Sequence, residues 1–217
     1  MDKVFLIFGT STTYGCWDSE GGWVQRFRYF IDQRVIDSNY KKSDLVYNLG
    51  VSGDKTQDVL VRFESETKAR LGHNRKKEIV IIFHVVINDT IYNESLGKVE
   101  VSPQEFKNNL KLLLDKAKKY SEQIIVVGSM PVDKRADPMP WASGRSYKNE
   151  YVAQYNEISG DVSKTENVHF IEIYKKFINS DYSSLLADGV HMNDKGHEKL
   201  YEIVRDYLIK NKIINFD

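Results

Sequence analysis

Short apolar runs alternate with longer amphipathic segments along this chain, and this alternation restricts the fold more than any other feature. The runs rich in β-branched residues predict strands over residues 4–8, 45–47, 79–83, 124–127 and 168–171. The first, third and fourth runs are continuously apolar, which is typical of parallel strands covered on both faces.

Apolar residues recur at helical spacing between these strands. The pattern is clearest near the end of the chain, at Leu200, Ile203, Val204, Tyr207 and Leu208. Similar stripes predict helices around residues 23–31 and 106–117. Strand–helix alternation of this kind forms right-handed βαβ units. The sequence therefore predicts an α/β fold with a mainly parallel sheet of about five strands.

The composition limits the partners of the chain. Its 217 residues suit one domain, which we predict over residues 1–217. The 31 basic and 31 acidic side chains cancel, so no field of one sign attracts nucleic acid or an anionic membrane. Cys16 is the single cysteine, which excludes an intrachain disulfide, and no segment reaches transmembrane length. We expect a cytoplasmic protein without a nucleic-acid partner or a membrane span, and the sequence carries no signal for oligomeric state.

A serine follows the first predicted strand within the segment GTSTTYG, residues 9–15. Glycines at both ends permit a sharp turn, which would expose the Ser11 hydroxyl at the carboxyl end of the sheet. Flavodoxin-type proteins place a loop rich in Ser and Thr here to bind a phosphate. The segment alone is therefore compatible with a nucleophile, a phosphate loop or a plain polar turn.

Two further polar segments follow the second and third strands. Gly53, in the segment NLGVSGD, is able to present its backbone N–H toward the first loop, and Asp54 or Thr56 is expected to cap the next helix. The side-chain amide of Asn88 is suited to donate a hydrogen bond to an oxyanion. Glycine-rich turns and Asn-Asp pairs are also common without any such role.

An Asp-x-x-His segment precedes the last predicted helix. Asp188 lies three residues before His191, so its carboxylate is able to contact the imidazole, fix its tautomer and stabilise its protonated form. His197 lies six residues further along and is a weaker candidate, which we expect to pack or cap locally.

These four segments, in this order, resemble the SGNH hydrolase family, also called GDSL-like esterases and lipases. The resemblance implies a nucleophile at Ser11, a general base at His191 and an orienting acid at Asp188. It also implies oxyanion donors from the backbone N–H groups of Ser11 and Gly53 and from the Asn88 amide. The implied fold, a flavodoxin-like three-layer α/β/α sandwich, agrees with the strand–helix pattern.

The resemblance spans residues 4–208 but includes three departures from the family pattern. Thr10 replaces an aspartate, Val86 replaces a glycine and Met192 replaces a proline. Threonine keeps an oxygen that can support the Ser11 turn but loses the charge. A branched side chain at position 86 is expected to narrow the site or to shift the loop that carries Asn88, and methionine at position 192 is expected to loosen its turn slightly. None of the three removes a proton-transfer or oxyanion group.

The chemistry that the resemblance implies is hydrolysis of a small-molecule ester through an acyl-enzyme. We expect no metal or other cofactor, because the chain lacks His-Glu-x-x-His, paired cysteines, Gly-x-Gly-x-x-Gly and the phosphate-binding Gly-Lys-Ser/Thr motif. Acetylated sugars, short acyl esters, lysophospholipids and thioesters all fit this machinery.

A long irregular stretch follows the fourth strand, over residues 131–146. It contains Arg135, Trp141 and Arg145, which offer hydrogen-bond donors and a broad apolar surface. Long irregular loops within compact domains are often functional. Our hypothesis is that this stretch forms a wall of the substrate pocket, with a plain solvent loop as the alternative.

Two other functions remain open at the level of sequence. The first is a flavin- or phosphate-binding module that uses residues 9–15 and leaves Asp188 and His191 without a role. The second is a catalytically weak SGNH-like binding protein, which Thr10 and Val86 suggest.

Overall fold

The strands and helices below come from a computed structural model, which describes residues 2–72 and 76–215. The strands in these residues are β1 (Lys3–Gly9), β2 (Leu45–Gly50), β3 (Glu78–His84), β4 (Tyr92–Asn93), β5 (Lys98–Val99), β6 (Gln123–Val127), β7 (Arg145–Ser146) and β8 (His169–Ile171). The helices are α1 (Ser11–Tyr14), α2 (Gly22–Asp37), α3 (Thr56–Leu71), α4 (Pro103–Ala117), α5 (Asn149–Thr165), α6 (Tyr174–Phe177) and α7 (Asp194–Lys210). Short 3₁₀ helices span Ile87–Thr90, Lys134–Ala136 and Tyr182–Leu185.

The central sheet has five strands, all parallel, in the order β2-β1-β3-β6-β8. The interior strand β1 pairs with β2 on one side and β3 on the other, so that Phe8 lies opposite Leu49 of β2 and Phe83 of β3. The predicted α/β fold with a mainly parallel sheet is therefore confirmed. In such sheets the ligand site lies beyond the carboxyl ends of the strands, where β1, β2 and β3 end here.

Helices cover both faces of this sheet. Side chains from one face of β1, such as Leu6, pack with apolar residues of α3, α4 and α5. Side chains from its other face, such as Ile7, pack with α2 and α7. Because both faces are buried, β1 carries an uninterrupted apolar run, which is the three-layer α/β/α arrangement expected from the sequence.

A second, smaller sheet lies outside the central one and was not predicted. It is antiparallel, with the strand order β5-β4-β7. Tyr92 pairs with Val99 on one side and with Ser146 on the other. Strands of two residues are too short to show an alternation of apolar and polar residues, which is why the sequence did not predict them. The end of the stretch predicted as irregular is therefore paired in a sheet. This pairing fixes the position of Arg145, which lies opposite Asn93.

Candidate active site

Ser11, His191 and Asp188 are in hydrogen-bond contact with one another. His191 Nε2 lies 2.9 Å from Ser11 Oγ, and His191 Nδ1 lies 2.7 Å from Asp188 Oδ2. If Nδ1 carries the proton and donates to the carboxylate, Nε2 is left to accept the proton of the Ser11 hydroxyl. We call this group of three residues, with the segment that holds Asp188 and His191, the acid–base side of the site.

The sharp turn between β1 and Ser11 is closely packed, and Ser11 lies buried at the edge of the cleft, where an exposed residue was expected. A side chain at Gly9 would place its Cβ 2.0 Å from Thr13 Oγ1 and 2.7 Å from the His84 carbonyl oxygen, so only glycine fits where the chain passes from β1 into α1. The Asn48 side chain supports the turn by donating to the Thr13 carbonyl oxygen at 2.9 Å. Thr10 is buried, and its hydroxyl has no hydrogen-bond partner among the described residues. Its hydroxyl therefore gives no polar support to the Ser11 turn.

The Asp188 carboxylate accepts four hydrogen bonds. Its Oδ1 accepts from the backbone N–H groups of Val190 at 3.0 Å and His191 at 2.8 Å. Its Oδ2 accepts from the His191 ring and from Trp17 Nε1, at 2.9 Å. Burial raises the pKa of Asp188, but the hydrogen bonds and charge of His191 outweigh burial and hold this pKa well below its usual range. The group is therefore a carboxylate near neutral pH.

Trp17 is a site residue that the sequence analysis missed. Its backbone adopts a left-handed conformation, with φ 68°, which is uncommon for a bulky side chain. Its side chain remains 62% exposed, and its ring centroid lies 5.8 Å from that of His191. Trp17 comes 171 positions before Asp188, so no local pattern could show that they meet.

Arg135 lies outside the cleft and holds the chain that leads to Asp188. Its guanidinium pairs with Asp133 at 2.6 Å and donates to the backbone carbonyls of Leu186 and Ala187. Arg135 lowers the pKa of Asp133 to about 2, mainly through this hydrogen bond. Among the residues of the candidate substrate loop, Arg135 therefore contacts the segment before the triad acid and not the cleft.

Asn88 lies across from this segment, in the 3₁₀ helix after β3. Its Nδ2 donates to the Asp54 carbonyl oxygen at 2.9 Å, and its Oδ1 accepts from the Tyr147 hydroxyl at 2.7 Å. Gly53 has φ 87°, a left-handed conformation that favours glycine. We call Asn88, Gly53, Asp54 and Tyr147 the oxyanion side of the site.

Asp89 joins the loop of the oxyanion side to helix α3. Its buried carboxylate accepts from the Thr56 backbone N–H at 2.9 Å and from the Thr56 hydroxyl at 2.5 Å. Burial raises the pKa of Asp89 to about 7, and the two hydrogen bonds only partly oppose that shift. The expected cap of α3 by Asp54 or Thr56 was wrong: the N-cap residue is Lys55. Asp54 instead pairs with Arg62 at 2.7 Å.

Residues from both sides line one cleft of about 260 Å³. Its lining comprises Ser11, Ser52, Gly53, Lys55, Asn88, Ile91, Glu100, Met139, Trp141, Ala142, Arg145, Tyr147 and His191. A larger cavity of about 570 Å³ also touches Tyr147, but no triad residue lines it. The smaller cleft is therefore the candidate active site, since the reactive groups face it.

Two residues of the candidate substrate loop lie at this cleft. The Trp141 side chain is 49% exposed, and its ring centroid lies 5.7 Å from that of His191. Arg145 Nε donates to Glu100 at 2.6 Å, and Glu100 also binds Lys55 Nζ at 2.6 Å. Arg145 thus reaches the cleft already paired with a carboxylate.

The other histidines near the site have packing roles. His197 is buried, accepts from the Trp23 backbone N–H at 3.2 Å and lies 3.1 Å from the Cys16 carbonyl oxygen. His84 is buried as well, and this burial lowers its pKa to about 4. Val86 and Met192 are also buried and do not line the cleft, so the Val86 side chain does not narrow it.

The described part of the chain has neither a candidate metal site nor a candidate membrane span. There, no group of three or more His, Cys, Asp or Glu residues is placed to hold a metal ion. Of the helices in residues 2–72 and 76–215, none has the length and apolar character needed to cross a membrane. The absence of a cofactor remains a prediction.

Comparison with known proteins gives one family and a set of related folds. The model of the GDSL-like lipase/acylhydrolase family matches residues 7–199. An isoamyl acetate-hydrolyzing esterase from Saccharomyces cerevisiae is 25% identical over 213 residues, which cover 95% of this chain and 84% of that protein. A Bacillus subtilis lipoprotein, YqeF, is 26% identical over 186 residues, which cover 74% of this chain and 72% of that protein.

Solved structures share the fold over nearly the whole chain. A lipase/acylhydrolase from Enterococcus faecalis superposes with a TM-score of 0.69 and 23% identity, covering 96% of this chain and 95% of that chain. The acetyl xylan esterase AlAXEase gives a TM-score of 0.69 and 17% identity, covering 95% and 100%. At these identities the likeness is one of fold.

Proposed function

Because this chain belongs to the GDSL-like lipase/acylhydrolase family, we propose that it is a serine esterase that forms an acyl-enzyme on Ser11. The observation that carries the proposal is the unbroken chain of contacts from Ser11 Oγ through His191 to Asp188, at 2.9 and 2.7 Å. Removing a proton from the serine requires a base within hydrogen-bond reach that is itself oriented, and both conditions are met.

The first half of the reaction acylates the enzyme. His191 Nε2 takes the Ser11 proton while Oγ attacks the ester carbonyl carbon, and Asp188 stabilises the imidazolium that forms. The carbonyl oxygen becomes an oxyanion, which accepts hydrogen bonds from the N–H groups of Ser11 and Gly53 and from the Asn88 amide. His191 then gives its proton to the alkoxide as the C–O bond breaks, and the alcohol leaves.

The second half regenerates the enzyme. Water loses a proton to His191 and attacks the carbonyl carbon of the acyl-enzyme, which forms a second oxyanion at the same donors. As this intermediate collapses, the bond to Ser11 Oγ breaks and His191 returns the proton to the serine. The carboxylic acid is released, and the protein's own groups carry every proton transfer.

Labelling with a fluorophosphonate tests the nucleophile directly. We expect the probe to label the wild-type protein and to leave Ser11→Ala unlabelled, because the serine oxygen forms the covalent bond. Ser65→Ala is a matched control, since Ser65 is exposed on α3 away from the cleft. Equal labelling of Ser11→Ala and the wild type would exclude Ser11 as the nucleophile.

We propose a short acyl ester as the first substrate class to test. The cleft of about 260 Å³ is below the size of ordinary drug-binding pockets, and Met139, Trp141 and Arg145 form part of its lining. The yeast relative is named for isoamyl acetate, an ester of this class. Turnover of p-nitrophenyl acetate and isoamyl acetate should therefore exceed that of long-chain esters.

Domain extent and location also remain proposals. We propose one hydrolase domain over residues 1–217, because Ser11 and His191 come from opposite ends of the chain and meet. We propose a cytoplasmic location because the chain has a single cysteine. One relative is a lipoprotein, so fractionation of the cells that make this protein decides between cytosol and membrane.

A further inference from the structure

Two hydrogen bonds hold the Asn88 amide in one orientation. Its Oδ1 lies 2.7 Å from the Tyr147 hydroxyl, and its Nδ2 lies 2.9 Å from the Asp54 carbonyl oxygen. The carbonyl oxygen of Asp54 only accepts, so it must face the amide nitrogen, and the Tyr147 hydroxyl can donate to the amide oxygen. Both contacts thus agree on which end of the amide is nitrogen. The second hydrogen on Nδ2 is left for the reacting carbonyl oxygen.

We propose that Tyr147 is a positioning residue for the oxyanion hole. Its hydroxyl holds the amide oxygen of Asn88 and so keeps the free N–H directed into the cleft. This inference rests on the proposed function, because Asn88 meets a developing oxyanion only if Ser11 attacks an ester. Tyr147 acts through Asn88 and makes no bond to the reacting atoms in this role.

The Tyr147 ring is itself held firmly. The side chain is only 5% exposed, and the backbone N–H donates to the Ala136 carbonyl oxygen at 3.0 Å. The preceding residue, Ser146, pairs with Tyr92 in the small antiparallel sheet. A hydroxyl held in this way gives Asn88 a fixed partner, which is what preorganised oxyanion donors require.

Tyr147 also keeps its proton near neutral pH. Burial raises its pKa well above the usual range, and the negative charges of Asp188 and Glu100 raise it further. The hydroxyl is therefore a neutral donor to the Asn88 oxygen. A tyrosinate could not serve, because it would face that oxygen with a second acceptor.

The same contacts connect the two amide-bearing loops of the oxyanion side. Asn88 donates to the carbonyl of Asp54, the residue directly after Gly53. A rotated Asn88 amide would turn its oxygen toward that carbonyl and lose the bond. Tyr147 therefore holds the Asn88 amide directly. Through the bond from Asn88 to Asp54 it also holds the loop that contains Gly53.

Steady-state kinetics of Tyr147→Phe, Asn88→Ala and the double variant test this role. Tyr147→Phe removes only the hydroxyl, and we expect kcat to fall on the order of 10-fold, with KM within about 2-fold of wild type. In the Asn88→Ala background the same change should have no further effect on kcat, because its target is gone.

Tyr155→Phe is the matched control. Tyr155 is also buried, and its hydroxyl donates to the Val101 carbonyl oxygen away from the cleft. Both substitutions remove a buried hydroxyl and should lower the melting temperature. Only Tyr147→Phe should lower kcat, which separates positioning from a general loss of stability.

A fluorinated series covers the case in which Tyr147→Phe does not fold. Fluorotyrosines incorporated at position 147 keep the ring and hydroxyl while making the hydroxyl a stronger donor. Because that donor polarises the Asn88 amide, we expect kcat to change in a graded way with fluorine number. A flat series would overturn the proposal.

The outcomes separate this inference from the proposed function. Wild-type kcat in Tyr147→Phe, together with a slow Asn88→Ala, would overturn the role of Tyr147 and leave the esterase mechanism in place. Wild-type kcat in Asn88→Ala would overturn both the oxyanion assignment and the role of Tyr147. A further loss of kcat in the double variant would show that Tyr147 acts by another route.

Discussion

On the acid–base side of the site, Asp188 and His191 share one short segment, whereas on the oxyanion side Asn88 depends on Asp54 and Tyr147 from separate loops. The first pair is three residues apart in sequence. Asn88 and its partner Tyr147 are 59 residues apart. Asn88 and Tyr147 are also more deeply buried than the partly exposed Asp188.

This difference separates two ways of holding a catalytic group. The acid accepts hydrogen bonds from two backbone N–H groups of its own segment, a local turn to which the distant Trp17 adds one further donor. The oxyanion amide is held by side-chain and backbone groups that the fold brings together from a distance. Local turns are expressed in sequence spacing, and assembled contacts are not. We expect the two sides to respond differently to substitution and to pH.

The largest effect should come from the triad acid. Asp188→Asn keeps the shape of the side chain but offers the His191 ring an amide in place of a carboxylate. Without that charge the imidazolium is not stabilised and the tautomer is not fixed, so kcat should fall on the order of 10⁴-fold. Trp17→Phe removes a different hydrogen bond to the same oxygen and should have a much smaller effect. A loss below 10-fold in Asp188→Asn would contradict the acid–base assignment.

A smaller effect is expected on the oxyanion side. Asn88→Ala removes one donor to the developing charge, so kcat should fall on the order of 10²–10³-fold while KM changes little. Asn108, which is exposed on α4, provides Asn108→Ala as a control for the same substitution away from the cleft. A change confined to KM would instead make Asn88 a binding or structural residue.

The contrast between local turns and contacts formed by distant residues also explains which features could be predicted from the sequence. The three strands with continuous apolar runs were predicted to within one residue at each end. For example, the predicted strand over residues 79–83 is observed as Glu78–His84. The family and the ester-hydrolase class are confirmed. The structure also brings Ser11, His191 and Asp188 into contact, the three residues for which the family resemblance implies a triad.

The other features of the site could not be predicted, because they depend on contacts between residues that are far apart in the sequence. The indole N–H of Trp17 reaches Asp188 only because the loop after α1 passes the segment before α7. Tyr147 follows a strand of two residues, which is too short to show a pattern. Arg135 was assigned to the substrate loop by its position in sequence, yet its donors turn to backbone carbonyls near Asp188. Side-chain direction was the missing information in each case.

The two sides should respond to pH with opposite signs. Asp89, beneath the oxyanion side, has a pKa raised to about 7 against about 4 in the unfolded chain. Its stabilising contribution is therefore complete below about pH 4 and is lost as the pH rises through 7. Asp188 has a lowered pKa, so its contribution is present above about pH 4 and is lost as the pH falls through the folded value.

Unfolding in urea at pH 5 and pH 8 tests the sign for Asp89. Relative to Asp89→Asn, which cannot ionise, the wild type should lose about 3 kcal/mol in free energy of unfolding between the two pH values. The comparison at each pH cancels the titration of the other groups. Parallel pH dependence in the two proteins would show that Asp89 titrates alike in the folded and unfolded states.

The smallest expected effect is on selectivity for the length of the acyl chain. It concerns Trp141, which lies at the exposed edge of the cleft. Trp141 is 49% exposed, and its ring lies beside His191, so we expect it to contact a bound substrate. Trp141→Ala should change the relative kcat/KM values for acetate, butyrate and octanoate esters by a few-fold, because a buried methylene contributes about 0.8 kcal/mol. Fluorophosphonate labelling of Ser11 should be unchanged, since the triad contacts do not involve Trp141. An unaltered chain-length series would place Trp141 outside the substrate wall and leave the wall to Met139 and its neighbours.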